Sequence, residues 1–340
     1  MPRWLTRLLV EFLYFTGGTR FALWRGLGVI LKFERVRPRQ QGGFQPLRAR
    51  DITPEFLDRL LGALRRWNYD IISIAQVHER LVDPPGRPRR FVCLTFDIGY
   101  RDFLDHAWPI LKRHQVPVAL YLPASFPDHL GEVWWLALQE VIARQDRIGF
   151  VIGGIDHREH CRTVREKELL FDYLYKALRA MKPAERSHAI QDLCRRYGVD
   201  LEAVSSQAIL NWRDLAAILD DPLLTIGSAT ASYATLACLD RQLAERELKM
   251  GRAVVEAAIG RKAPHLAYPF GTSDTFTSRE QVTAFEIGCL TAVTTEPGTI
   301  EAKHRDRLLA LPRISWDGRL SLRAMRVMLA GLMPDAARRD

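Results

Sequence analysis

Short apolar runs alternate with longer amphipathic ones along most of this chain, and the two periods predict different elements. The run Gly28–Phe33, GVILKF, reads as a buried strand. Over 53–67, Phe56, Leu57, Leu60, Leu61 and Leu64 fall on one helical face. Thr53 supplies a cap there, and Pro54 takes the first helical position, where its missing N–H is not needed. Further strands are predicted at 70–74, 91–96 and 116–122, with a helix over 103–114 between the last two. Later strand candidates are 225–227, 265–268, 289–294 and 309–314, and 239–259 is a long helix. Such alternation implies βαβ units and an α/β fold with a parallel sheet. Closed into a barrel, that sheet carries any site at the carboxyl ends of its strands.

The alternation lapses over 134–220, where the pattern is helical at 134–143, 164–181, 183–197 and 212–219. No Gly/Ser linker and no internal repeat marks a boundary, so this stretch reads as a helical insertion within one unit, 26–333. Residues 334–340 form a tail. Residues 1–25 open with MPRWLTRLLVEFLYF, in which Leu5, Leu8, Leu9, Phe12 and Leu13 recur at helical spacing. Arg7 and Glu11 interrupt the apolar body and no small-residue cleavage site follows, so an amphipathic helix is expected rather than a secretory signal. Trp4, Phe12 and Tyr14 beside Arg3 and Arg7 suit peripheral contact with a membrane, and packing on the protein's own surface is the alternative.

Composition narrows the classes. With 47% hydrophobic and 26% charged residues, the chain is neither disordered nor a disulfide mini-scaffold. No uncharged stretch is long enough for a multi-span membrane protein. The 5 cysteines are scattered without a CxxC pair, which implies reduced thiols and a cytoplasmic location, at the membrane face if residues 1–25 bind lipid. The net charge of +9 is spread along the chain without a basic, aromatic-interleaved stripe, so a solvated basic surface is expected and no nucleic-acid partner.

Three segments at predicted strand ends carry unusual residues. The first is Thr95-Phe96-Asp97-Ile98-Gly99-Tyr100-Arg101-Asp102, a strand ending in Asp before a Gly turn. An Asp there serves chemistry or caps the next helix. The second, Gly227-Ser228-Ala229-Thr230-Ala231-Ser232-Tyr233, is a tight turn rich in small hydroxyl residues. The third, His265-Leu266-Ala267-Tyr268-Pro269-Phe270-Gly271, offers aromatic faces that suit a sugar ring or plug a barrel.

Together these segments resemble the polysaccharide deacetylase family, the enzymes of the NodB homology (carbohydrate esterase 4-like) fold. The first resembles the family motif TFDDGY, the second H-[ST]-x-x-H and the third FAYPYG. The run after the first motif, RDFLDHAWPILKRHQVPVALYLP, also looks like the family's. Leu311-Pro312-Arg313-Ile314 and the strand Gly28–Phe33 with its continuation to Val36 fit the branch similar to poly-N-acetylglucosamine deacetylases. The resemblance implies an irregular (β/α) barrel of about seven strands with the helical insertion built onto it. It also implies carbohydrate metabolism, with removal of acetyl groups from acetylated, chitooligosaccharide-type glycans. In the family one Asp and two His hold a divalent metal, usually zinc; a second Asp is the general base and a His the general acid.

Carried over residue by residue, the match keeps the base and loses the metal. Asp97 stands at the general-base position. Ile98 stands where the metal-binding Asp belongs, and Ala229 and Tyr233 where the two His belong. Glu34, in Phe33-Glu34-Arg35-Val36, replaces the general-acid His. Ile and Ala offer no donor atom, and a phenol with a pKa of about 10 is a poor zinc ligand. The resemblance therefore implies a pseudoenzyme with no cofactor that binds an acetylated oligo- or polysaccharide, or a partner. Tyr100, Ser228, Tyr233 and Tyr268 would line its pocket with Asp97, Glu34 and Asp102. The alternative is an active glycan de-N-acetylase, a C–N amide hydrolase with zinc or another divalent metal at a displaced site. His157 and His160, spaced i, i+3, are the candidate for such a site. Asp97 and Glu34 as an acid/base pair for metal-free hydrolysis is a further alternative. A membrane-surface or interaction scaffold is the reading from another class.

Overall fold

The computed structural model describes residues 26–86, 89–152, 154–318 and 321–331. The expected amphipathic segment 1–25 and the tail 334–340 lie outside the described residues. The chain begins with β1 (Gly28–Phe33), β2 (Arg35–Val36), β3 (Asp51–Ile52) and α1 (Pro54–Arg66). Next come β4 (Asp70–Ile71), α2 (Ile74–Val82), β5 (Phe91–Asp97), α3 (Trp108–Arg113) and β6 (Val118–Leu122). The insertion holds α4 (Trp134–Arg144), β7 (Arg147–Ile152), β8 (Ile155–His160), α5 (Val164–Ala180), α6 (Pro183–Tyr197), α7 (Leu201–Ala208) and α8 (Trp212–Ala216). The chain then resumes the alternation with β9 (Leu224–Ser228), α9 (Arg241–Ile259), β10 (His265–Ala267), α10 (Ser278–Glu286), β11 (Thr291–Val293), β12 (Ile314–Ser315) and α11 (Leu322–Leu329).

The main sheet runs β11-β10-β9-β6-β5-β1-β12, all parallel, with β4 sharing the β6 edge of β5. Leu311, just before β12, bridges Val293 of β11. The sheet therefore curls until segment 311–315 joins its two edges, which gives the expected irregular barrel.

Parallel strands covered on both faces read as continuous apolar runs, and here alternate residues serve two separate cores. Val29, Leu31, Phe33, Val92, Leu94, Phe96, Leu120 and Leu122 pack outward under the helices. Ile30, Phe91, Cys93, Ala119, Tyr121, Ala267 and Val293 turn inward. That inward cluster continues without a break into Trp134, Trp135, Leu170, Leu174 and Ile190 of the insertion. Close approach needs glycine at two places. A Cβ at Gly227 would meet the Tyr121 ring at 2.5 Å, and one at Gly251 of α9 would meet the Thr230 backbone at 2.2 Å. The second contact seats α9 directly against the loop that follows β9.

The structure departs from the expected elements at several points. Of the expected strand 309–314, Leu309 and Ala310 end a run of tight helical turns and only Ile314 enters β12, and the expected strand 70–74 stops at Ile71, with Ile74 opening α2. Residues 103–114 are not one helix: 103–107 form a π-turn before α3. Pro109 has no N–H to donate back one turn, so a regular α-ladder cannot pass through it. The insertion is not purely helical, because β7 and β8 make an antiparallel hairpin. Ile148 and Phe150 bury their side chains while β8, IDHREH, is almost wholly exposed and hides its period in polar residues. No helix among the described residues is long and apolar enough to cross a membrane.

Candidate functional site

The inward alternation of β1 runs Ile30, Lys32, Glu34, and that of β5 runs Cys93, Thr95, Asp97. Register pairs Lys32 with Thr95, so the charged residues gather at the carboxyl end of the barrel. Arg313 reaches them from the segment that closes it. Its guanidinium is fully buried and binds Asp97 bidentately, Nη1 to Oδ1 at 2.7 Å and Nη2 to Oδ2 at 2.8 Å. Nη1 also donates to Thr95 Oγ1 at 3.1 Å, and Nε to the Thr294 carbonyl at 2.7 Å. Lys32 Nζ donates to Glu34 Oε1 at 2.7 Å and lies 3.9 Å from Asp97 Oδ2. Arg50 Nη1 stands 3.5 Å from Glu34 Oε2 and its Nη2 donates to Tyr175 Oη at 2.7 Å. Burial alone would raise the Glu34 carboxyl, but Lys32, Arg50 and Arg313 overcome it and hold the pKa at about 2. The result is an unbroken alternation of charge: Arg313, Asp97, Lys32, Glu34, Arg50.

The three positions where the sequence resemblance expects metal ligands flank this chain. Ile98 is buried at φ 80°, in the left-handed region that a β-branched side chain rarely enters. Ala229 is fully buried. Tyr233, at φ 56°, packs its ring on Phe126, Trp135 and Phe270, and its hydroxyl accepts from the Phe270 amide at 3.5 Å. Burial and the nearby Asp97 and Glu34 carboxylates push its phenol well above the usual value, so it stays neutral. Thr230 and Phe270 also hold positive φ, so strained backbone clusters on the loops after β5, β9 and β10. Two hydrocarbon side chains and a neutral phenol do not fit a divalent metal. No group of three or more His, Cys, Asp or Glu that could hold one occurs among the described residues.

The other predicted site residues divide. Tyr100 accepts a hydrogen bond from Trp135 Nε1 at 2.6 Å and carries the Arg35 guanidinium 4.6 Å over its ring. Asp102 ties down β2, accepting from Arg35 Nε at 2.7 Å and the Val36 amide at 3.2 Å. Ser228 is buried and its hydroxyl has no partner among the described atoms. Tyr268 points away from Asp97: it stacks on Phe276 at 4.2 Å, donates to the Leu309 carbonyl at 3.0 Å and belongs to a separate apolar cluster with Leu236 and Leu248. All the predicted pocket residues are buried. Above them Trp134 and Trp135 of α4 and Tyr175 of α5 form an aromatic cover, with Trp134 and Tyr175 5.0 Å apart. His157 and His160 do not converge. They sit on strand β8, where i, i+3 places side chains on opposite faces, and His157 stacks on Phe150 at 5.1 Å.

Sequence reasoning missed Lys32, Arg50, Arg313 and Trp135. Lys32 had a signal, since a charge inside an otherwise apolar strand must find a buried partner. Arg50 and Trp135 had none, because their roles depend on how the insertion folds over the barrel.

A curled parallel barrel with its charged cluster at the strand ends invites comparison with solved structures. The Streptococcus pyogenes deacetylase PplD aligns with TM-score 0.59 and 15% identity, over 90% of this chain and 98% of its own. The fold is that of the polysaccharide deacetylases. IcaB from Ammonifex degensii matches at TM-score 0.56 and 14% identity, covering 91% of this chain and 99% of that one. A de-N-acetylase from Aggregatibacter actinomycetemcomitans matches at 0.56 and 12%, covering 88% and 98%. No protein-family model matches this chain, and no curated protein matches it.

Proposed function

We propose that this deacetylase-fold protein holds an acetylated saccharide without hydrolysing it. The reading rests on one observation: the ion-pair chain from Arg313 through Asp97, Lys32 and Glu34 to Arg50 occupies the strand ends, beside Ile98, Ala229 and Tyr233. Asp97 has both oxygens engaged by a guanidinium, and its charge is already matched by Arg313 and Lys32. Glu34, held ionised, has no proton to give a leaving amine near neutral pH. The saccharide class is supported by the fold shared with a polysaccharide deacetylase from Bacillus cereus.

Acetate release from N-acetylglucosamine oligomers, with excess Zn²⁺ or Co²⁺ and with Asp97→Asn as control, tests the loss of catalysis. Saturation-transfer NMR with the same oligomers tests binding. The expected result is no release above the protein-free blank together with ligand saturation. Release that depends on Asp97 would overturn the first half of the proposal, and absence of saturation the second.

A further inference from the structure

Outside the barrel, between the loop after β2, the first turns of α1 and the end of β12, lies a cavity of about 480 Å³. Its lining is unusual for its charge. Arg37, Arg39, Arg48 and Arg59 face it against a single carboxylate, Asp51. Arg37 is the ion-pair partner of that carboxylate, with Nε at 2.9 Å and Nη2 at 2.5 Å from Oδ2, while Oδ1 is buried without a partner among the described atoms. Arg39, Arg48 and Arg59 are exposed and form no ion pair with any described residue. Three guanidinium groups without an ion-pair partner thus share one concavity, Arg59 resting its Nε on the Glu55 carbonyl at 3.3 Å, and the rim also includes the capped N-terminus of α1 at Thr53. The wall is rigid and aromatic: Phe56 and Trp316 stack at 4.7 Å with a 21° interplanar angle, and both line the cavity.

We propose that this cavity binds a phosphate-bearing ligand, with the phosphate oxygens on Arg39, Arg48 and Arg59 and the remainder against Phe56 and Trp316. Charge selects phosphate over a carboxylate: three guanidinium groups without an ion-pair partner match a phosphomonoester or diphosphate better than a single negative charge. Every basic residue at the cavity is arginine, whose planar fork can take two oxygens of such a group at once. The site lies outside the barrel and does not depend on how Asp97 and Glu34 behave. The same chemistry is offered by a soluble phosphorylated metabolite and by an anionic lipid headgroup.

Calorimetric titration of the full chain with inorganic pyrophosphate at low ionic strength tests this. The double variant Arg48→Ser/Arg59→Ser should bind about tenfold more weakly or worse. Arg144→Ser/Arg196→Ser removes the same charge from exposed positions on the insertion helices and should bind as the wild type does. All four residues are solvent-facing, and circular dichroism checks that each variant keeps its fold. Equal weakening by both variants, or no pyrophosphate binding by the wild type, would overturn the proposal. Competition by phosphatidic acid vesicles, against phosphatidylcholine vesicles as control, supports a lipid headgroup. Pyrophosphate binding that such vesicles leave untouched supports a soluble ligand.

Discussion

Arg313 and Asp97 answer each other's burial. A guanidinium with no exposed surface is tolerated because Asp97, Thr95 and the Thr294 carbonyl take up its donors. Breaking one side of such a pair leaves an uncompensated buried charge, whereas replacing both sides with hydrocarbon does not. Arg313→Leu should therefore lower the unfolding free energy by about 3–5 kcal/mol, and Arg313→Leu/Asp97→Leu should recover most of that loss. Urea unfolding of the two variants and the wild type measures both values. If the double variant is no more stable than the single, the pair is not the unit that burial requires. Lys32 at 3.9 Å would then be holding Asp97 without help.

At the scale of elements, the pairing of β10 with β11 sets His265 opposite Thr291, and Nδ1 lies 2.9 Å from the threonine hydroxyl. Burial, with a smaller contribution from His78, lowers the imidazole pKa from 6.5 to about 4. Below 6.5 the unfolded chain takes a proton that the folded chain refuses. The stability is therefore present above 6.5 and is lost as pH falls from there toward 4. The loss is on the order of 3 kcal/mol. Burial also lowers His304, so the wild-type loss is shared, and the difference from His265→Gln isolates this one residue. Glu34, at about 2 when folded against 4.5 when unfolded, adds a loss of its own at the acid end of the window, which both proteins share and the difference cancels. Denaturant unfolding across pH 7 to 4 should give a flatter profile for His265→Gln; parallel profiles would mean that the imidazole is solvated. Most of the sheet was legible because buried parallel strands are apolar throughout, as β1 and β5 are. The hairpin was not, because β8 exposes almost every residue. The same alternation could have corrected Tyr268: Ala267 turns into the barrel, so its neighbour must turn out. The ion-pair chain was half legible. Asp97 and Glu34 stand at motif positions, but their cations come from β1, from the loop before β3 and from the closing segment, which only the folded chain brings together.

For the whole molecule, the decisive feature is where the barrel's interior ends. It does not end at the strand tips, because Ile30, Cys93 and Tyr121 share one continuous apolar cluster with Trp134, Leu174 and Ile190 of the insertion. Polar contacts cross the same boundary, from Trp135 Nε1 to Tyr100 Oη and from Arg50 to Tyr175 Oη. A segment whose core is the lid of another core cannot bury its own apolar face alone, so insertion and barrel should unfold together. Fluorine NMR of protein labelled with 5-fluorotryptophan follows the two regions separately. Trp135 reports the covered mouth, and Trp316, packed against Phe56, reports the outer helical layer. One denaturation midpoint for both resonances is the expected outcome. An earlier midpoint for Trp135 would mean that the insertion opens on its own. The aromatic cover would then be a movable lid, and Tyr100, Ser228 and Tyr233 would meet solvent without the barrel losing its sheet.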